Sequence, residues 1–254
     1  LEDYGYDMLP DVPYERRKVQ YEDVFPMLYL KYRLLGHGAQ KNIKHLVIDE
    51  MQDYSFLQYV LLKQIFQCRM TILGDYAQTL DTKQHDVLKF LPKIFGKEIR
   101  QVILRKSYRN TYEIARYAGE ISGIRDLELL ERHGKEVEER RFSSEDEMLE
   151  AVRENLRLGS EGYETAAVIT MTEEEAYDIY RLLTNRGIDA AYVDRDSSAF
   201  KRGLTVTTFY LAKGLEFDQV FTIKGTEGNP LEKQAQYISA TRALQELYVY
   251  QCEN

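Results

Sequence analysis

Two adjacent carboxylates, Asp49 and Glu50, follow directly on the apolar run Leu46-Val47-Ile48. Such a run ending in acids is how a buried parallel strand looks when it delivers side chains to the carboxyl edge of a sheet. There the first acid can hold Mg²⁺, and the second can orient or deprotonate a water attacking a phosphoryl group. The same pattern also fits a plain helix start, where carboxylates are favoured by the helix dipole. Which reading holds depends on whether the chain supplies the other parts of a phosphoryl-transfer site: an amide to sense the reacting phosphate, and arginines to spread over its charge.

The elements around the acids set the frame. Residues 21–35 are helical in period and end at Gly36 and Gly38. After the strand at 45–49, Ser55 opens a helix whose apolar positions Leu57, Leu61 and Ile65 recur every four residues. Met70–Leu73 reads as a second strand that stops at Gly74-Asp75-Tyr76-Ala77-Gln78, a helix follows around Val87 to Ile94, and Ile99–Leu104 reads as a third strand. The pattern restarts after Lys106, with a helix over 111–121 and a charged connection over 122–136. Capping-box patterns at Ser144/Glu147 and Thr172/Glu175 open two more helices. Strand candidates lie at 166–170, 190–193, 204–208, 219–223 and 247–250, while the charged run Glu131–Arg141 reads as solvated surface. Strands alternating with helices of these lengths predict an α/β chain with parallel sheets, whose ligands bind at the carboxyl ends of the strands. The expected division is a first domain over 1–105 and a second over 106–254.

Composition narrows the function classes. The 254 residues are 44% hydrophobic and 30% charged, with a net charge of −8. Residues 1–105 are nearly balanced and the acidic excess lies beyond them, so bulk charge does not imply nucleic-acid binding and any such contact needs a local groove. No apolar run reaches the roughly 18–20 residues of a membrane span. Two cysteines and four scattered histidines argue against a disulfide framework and a zinc site. These features fit a cytoplasmic protein. With 20 tyrosines and no tryptophan, any aromatic platform for bases must be Tyr or Phe. The chain begins at Leu1 with no initiation or targeting pattern, which reads as a piece of a longer polypeptide.

Taken in order, the polar clusters resemble the motifs of superfamily 1 helicases of the UvrD/Rep type. Asp49-Glu50-Met51-Gln52-Asp53 is similar to motif II, Gly74-Asp75-Tyr76-Ala77-Gln78 to motif III and Ser107-Tyr108-Arg109-Asn110 to motif IV. The stretch Thr208–Phe217, with Lys213-Gly214-Leu215-Glu216-Phe217, resembles motif V, and Ser239-Ala240-Thr241-Arg242-Ala243 resembles motif VI. The resemblance implies two RecA-like P-loop NTPase domains and an ATP- and Mg²⁺-dependent motor on DNA. It gives Asp49 the metal, usually through water, and Glu50 the attacking water. Gln78 becomes the γ-phosphate sensor, Arg109 and Arg242 the phosphate-reaching arginines, and Glu216 a ribose contact with Gly214 beside it. Thr208 and Lys213 are the expected nucleic-acid contacts. Nucleotide would then bind between the two domains.

Two departures bear on strand separation and leave the ATP chemistry in place. Gln78 is followed by Thr79-Leu80-Asp81 where the family has a Trp-containing stretch, and Tyr210 stands where the family has a histidine. With the Asp-Glu-Met-Gln-Asp-Tyr-Ser run they make the chain look most like the HelD (helicase IV-like) branch, which implies a factor acting on RNA polymerase. No Gly-x-x-x-x-Gly-Lys-Ser/Thr occurs in the chain. Family order puts that phosphate-binding loop upstream of residue 1, so the first domain is expected to be truncated and this chain alone not to hydrolyse ATP. The competing readings are a non-catalytic P-loop-like protein-binding module and a part of a recombination nuclease–helicase.

Overall fold

The computed structural model describes residues 13, 18–36, 38, 40–75, 78, 87–96, 99–124, 128–159, 162–195, 197, 202–225 and 228–253. The chain divides into two compact units, Leu1–Gln101 and Val102–Asn254. Residues 1–20, polar and carrying Pro10 and Pro13, read as loosely ordered in the sequence and fall largely outside the described residues, as do Tyr76, Ala77 and Thr79-Leu80-Asp81.

The first unit is built from α1 (Tyr21–Leu35), β1 (His45–Ile48), α2 (Phe56–Ile65), β2 (Arg69–Ile72) and α3 (Val87–Phe95). β1 and β2 run parallel, from His45 opposite Arg69 to Ile48 opposite Ile72. Ser55 caps α2 as a complete box, its hydroxyl accepting from Gln58 N while Gln58 Oε1 accepts from Ser55 N, which satisfies two donors that a helix start otherwise leaves open. Ile48, Met51, Tyr59, Val87, Leu91 and Ile94 form the core. They bring β1, the turn after it, α2 and α3 into one packed body, and so fix where β1 ends.

Ile99–Leu104 is not a strand. Val102, Ile103 and Leu104 stay exposed, and the stretch pairs with no strand among the described residues, which a strand requires. The short strand β3 is instead Lys106–Ser107, paired in parallel with β4 (Glu128–Leu129).

The second unit continues with α4 (Tyr112–Ser122), β5 (Glu138–Phe142), α5 (Glu145–Asn155), β6 (Thr165–Thr170), α6 (Glu173–Asn185), β7 (Ala190–Tyr192), β8 (Gly203–Thr208), β9 (Phe217–Ile223), α7 (Glu232–Arg242) and β10 (Ala243–Cys252). Its six-stranded sheet has the order β5-β10-β9-β6-β8-β7, and every pairing is parallel. A parallel sheet needs both faces covered, and its inner strands β6, β8, β9 and β10 are accordingly buried along most of their length. On one face Ala166, Val168, Val206, Phe221 and Tyr248 pack against Met148, Leu149 and Val152 of α5 and Ala176, Ile179 and Leu183 of α6. Alternation turns Ala167, Ile169, Val220 and Val249, all buried, to the opposite face. α7 lies on β9 and β10, and α4 packs on α7. This is a mixed α/β arrangement with a six-stranded parallel sheet.

Two elements depart from expectation. The run Glu131–Arg141 is largely exposed, as its reading as solvated surface requires, but from Glu138 it belongs to the edge strand β5, which the sequence pattern does not show as a strand. α7 had no periodic signal, and it passes straight into β10, the helix ending at Arg242 and the strand beginning at Ala243 with no loop between. Among the described residues no helix is long and apolar enough to cross a membrane.

Candidate functional site

In the first unit Asp49 and Glu50 stand just past the end of β1, on the carboxyl side of the two-stranded sheet. Glu50 is the one non-glycine residue with positive φ among the described residues, at 52°. That left-handed conformation costs an L-residue about 1–2 kcal/mol and persists only where the surroundings impose it. Met51 N donates to Leu73 O at 2.8 Å and Leu73 N to Ile48 O at 2.8 Å, locking the turn after β1 to the end of β2. From beneath, the buried Tyr59 hydroxyl donates to Met51 O at 3.0 Å. Burial pushes that phenol well above its ordinary range, so it stays a neutral donor.

Gln52 carries the tie further. Its Nε2 donates to Glu50 Oε2 at 2.6 Å, and its Oε1 accepts from Asp75 N at 3.1 Å. Asp75 Oδ2 in turn accepts from Gln78 Nε2 at 3.1 Å. A continuous chain of hydrogen bonds therefore runs Glu50–Gln52–Asp75–Gln78, joining the acid turn to the polar loop that follows β2. Gly74 makes this approach possible. A Cβ there would sit 2.5 Å from Gln52 Oε1 and 2.6 Å from Met51 N, so only glycine fits. Asp49 is exposed, its Oδ1 accepting from Glu50 N at 2.8 Å. Among the described residues no group of three or more His, Cys, Asp or Glu is arranged to hold a metal ion. A single exposed carboxylate suits Mg²⁺, which keeps most of its waters and binds through one or two carboxylates plus substrate phosphates.

The second unit brings Arg109, Glu216 and Arg242 together through their chain neighbours. Arg109 Nε and Glu216 Oε1 form an ion pair at 2.9 Å, each side chain about half exposed. Arg242 is 2% exposed. Its Nε donates to Ile238 O at 3.2 Å, one terminal nitrogen to Leu215 O at 3.3 Å and the other to Thr241 Oγ1 at 3.1 Å. A buried guanidinium needs such acceptors, and here most of them are backbone carbonyls. Asn110 Nδ2 donates to Ala243 O at 2.6 Å and to Thr241 O at 3.4 Å. Gly214, at φ +82°, makes the turn that presents Leu215 and Glu216. Lys213 beside it is half-buried. Thr208 ends β8 with 1% exposure, and its buried Oγ1 has no hydrogen-bond partner among the described residues.

Gln52 and Asn110 are the residues that reading the sequence for chemistry passed over. Both stand inside patterns that were recognised, Gln52 two positions after Glu50 and Asn110 next to Arg109. The only available signal was an amide beside a charged group.

No family model matches the chain, and no curated protein matches its sequence. Solved structures do resemble it. The C-terminal domain of a possible DNA helicase from Lactobacillus plantarum aligns at 22% identity and TM-score 0.43, over 57% of this chain and 88% of that one. Arterivirus nonstructural protein 10, a helicase, aligns at 17% identity and TM-score 0.46, and its complex with DNA at 19% and 0.47; each match covers 84% of this chain and 40% of the viral one. This chain thus spans two fifths of the arterivirus helicase.

Proposed function

We propose that the chain is part of an ATP-dependent superfamily 1 helicase or translocase, with residues 1–105 and 106–254 as portions of its two RecA-like domains. The observation that carries this reading is the hydrogen-bonded path from Glu50 through Gln52 and Asp75 to Gln78. It joins the acid that would handle water to the amide that would sense the phosphate, and a strained left-handed backbone is maintained to do so. A scaffold protein has no use for that expense, which favours the motor over the non-catalytic module.

In this reading Asp49 would hold Mg²⁺, and the metal would supply neutralisation of the phosphate charge. Glu50 orients the attacking water, and Gln78 reports on the γ-phosphate. Arg109 supplies a forked cation suited to phosphate oxygens; Arg242 would supply a second by exchanging the carbonyl partners that hold it buried here, and Glu216 and Gly214 border the nucleotide. Lys213 is the stronger of the two expected nucleic-acid contacts, because the Thr208 hydroxyl is buried. A HelD-like action on RNA polymerase is the finer proposal, resting on the sequence departures after Gln78 and at Tyr210.

The chain has no phosphate-binding loop of its own, so turnover requires a polypeptide that also carries one. In such a polypeptide Glu50→Gln abolishes ATP hydrolysis and spares ATP binding. Turnover by Glu50→Gln at the wild-type rate removes the role given to Glu50. ATP hydrolysis by the 254-residue chain alone removes the need for the loop.

A further inference from the structure

Three stretches distant in sequence meet in the second unit: Arg109-Asn110, Leu215-Glu216 and Thr241-Arg242-Ala243. Each pair of stretches is joined directly. Arg109 pairs with Glu216, Leu215 O accepts from Arg242, and Asn110 donates to the carbonyls of Thr241 and Ala243, the residues on either side of Arg242. The ring is closed, and Asn110 is the member that holds the end of α7.

Those two carbonyls lie where a helix leaves its last acceptors without intrahelical donors. α7 has no following loop in which to satisfy them, because β10 starts at the next residue. The Asn110 amide is buried, it offers two N–H groups, and it meets both acceptors. An aspartate of the same shape would present only acceptors to them.

From this we infer that Asn110 is a positioning residue. By clamping both peptide carbonyls around Arg242 it fixes the arginine's backbone, and because it follows Arg109 it sets the two arginines in one frame. Both would then meet the same phosphate group in register. The inference rests on the functional reading above for what Arg242 acts on, and on the geometry alone for what Asn110 does.

The test has two arms. In the ¹H–¹⁵N spectrum of the intact chain, the Arg242 Nε–H resonance is identified by its loss in Arg242→Lys, and its hydrogen exchange is followed in wild type and in Asn110→Asp. The expected result is exchange about tenfold faster in Asn110→Asp, the scale set by losing a buried hydrogen bond. A contribution to general stability alone would lower Tm and leave that proton's native-state protection unchanged, and unchanged protection overturns the inference. Should Asn110→Asp not fold, the Asn110 Nδ2–H protons of the wild type decide: slow exchange supports the clamp, and exchange at the rate of a free amide overturns it. The second arm measures ATP turnover in the loop-containing polypeptide. Loss of kcat with little change in KM in both Arg242→Ala and Asn110→Asp supports the inference. Loss in Arg242→Ala alone overturns the role of Asn110 and leaves the functional reading standing. No loss in Arg242→Ala overturns the reading, and with it any positioning role in the reaction.

Discussion

Arg109 and Glu216 form an ion pair, Nε to Oε1 at 2.9 Å. Both are expected at a nucleotide, one at its phosphates and the other at its ribose, and here each neutralises the other. The pair sits half in water, where such bridges contribute little because solvent screens them. Glu216→Gln should therefore shift unfolding by less than about 1 kcal/mol, measured by chemical denaturation. A large loss of stability would mean that the pair is a structural strut.

Gly74 tolerates no side chain. Its Cβ position lies within 2.6 Å of Met51 N and 2.5 Å of Gln52 Oε1. Gly74→Ala should cost about 1–3 kcal/mol, the usual range for overpacking a tight site, read from the denaturation midpoint. Loss of the Gln52–Asp75 bond should accompany it, seen as faster exchange of the Asp75 amide.

The positive φ of Glu50 makes a comparison between two small residues informative. Neither Glu50→Ala nor Glu50→Gly keeps the bond to Gln52, so the difference between them isolates the backbone. Glycine adopts the left-handed region freely, and Glu50→Gly should be more stable than Glu50→Ala by about 1 kcal/mol. Equal stability would show that the turn relaxes once the carboxylate is gone.

A pH effect is expected from Glu113 in α4, which is buried yet charged. Burial pushes its carboxyl up, but hydrogen bonds from His133 and from the backbone of Gly134 outweigh it and hold it below the ordinary range. A carboxyl depressed in the folded state contributes stability that is present above its unfolded pKa, about 4.3, and is lost as pH falls through the lower folded value. Stability of the second unit should decline in that acidic window, and Glu113→Gln should flatten the decline. Denaturation midpoints of both proteins across acidic pH would check this; parallel curves would assign the decline to other carboxylates.

Much of the architecture was legible because its signals are local. Apolar runs such as Ala166–Thr170 can only be buried strands, and Ser55/Gln58 and Thr172/Glu175 cap their helices as sequence chemistry requires. The failures share a cause, since each depends on a neighbour that local pattern cannot supply. Ile99–Leu104 has strand composition but pairs with no strand among the described residues. β5 reads as polar because it is an edge strand with Glu139, Arg140 and Arg141 exposed, and only pairing with β10 makes it a strand. α7 shows no stripe because Ala235, Tyr237, Ile238, Ser239, Ala240 and Arg242 are all buried. The acids, Gln78 and the arginines stood out by charge and position. The amides of Gln52 and Asn110 did not, since an amide is defined by what it bonds and the partners of Asn110 lie more than 130 residues away.

The seamless passage from α7 into β10 makes the end of that helix a stiff coupling. A loop would absorb a displacement of Arg242 as a change of its own shape. Here the next residue already belongs to a ten-residue strand, paired with β9 from Ala243, with one register irregularity before Glu246, and with β5 from Tyr248. A pull on one guanidinium is therefore delivered to the sheet as tension along a strand, and its neighbours share the load.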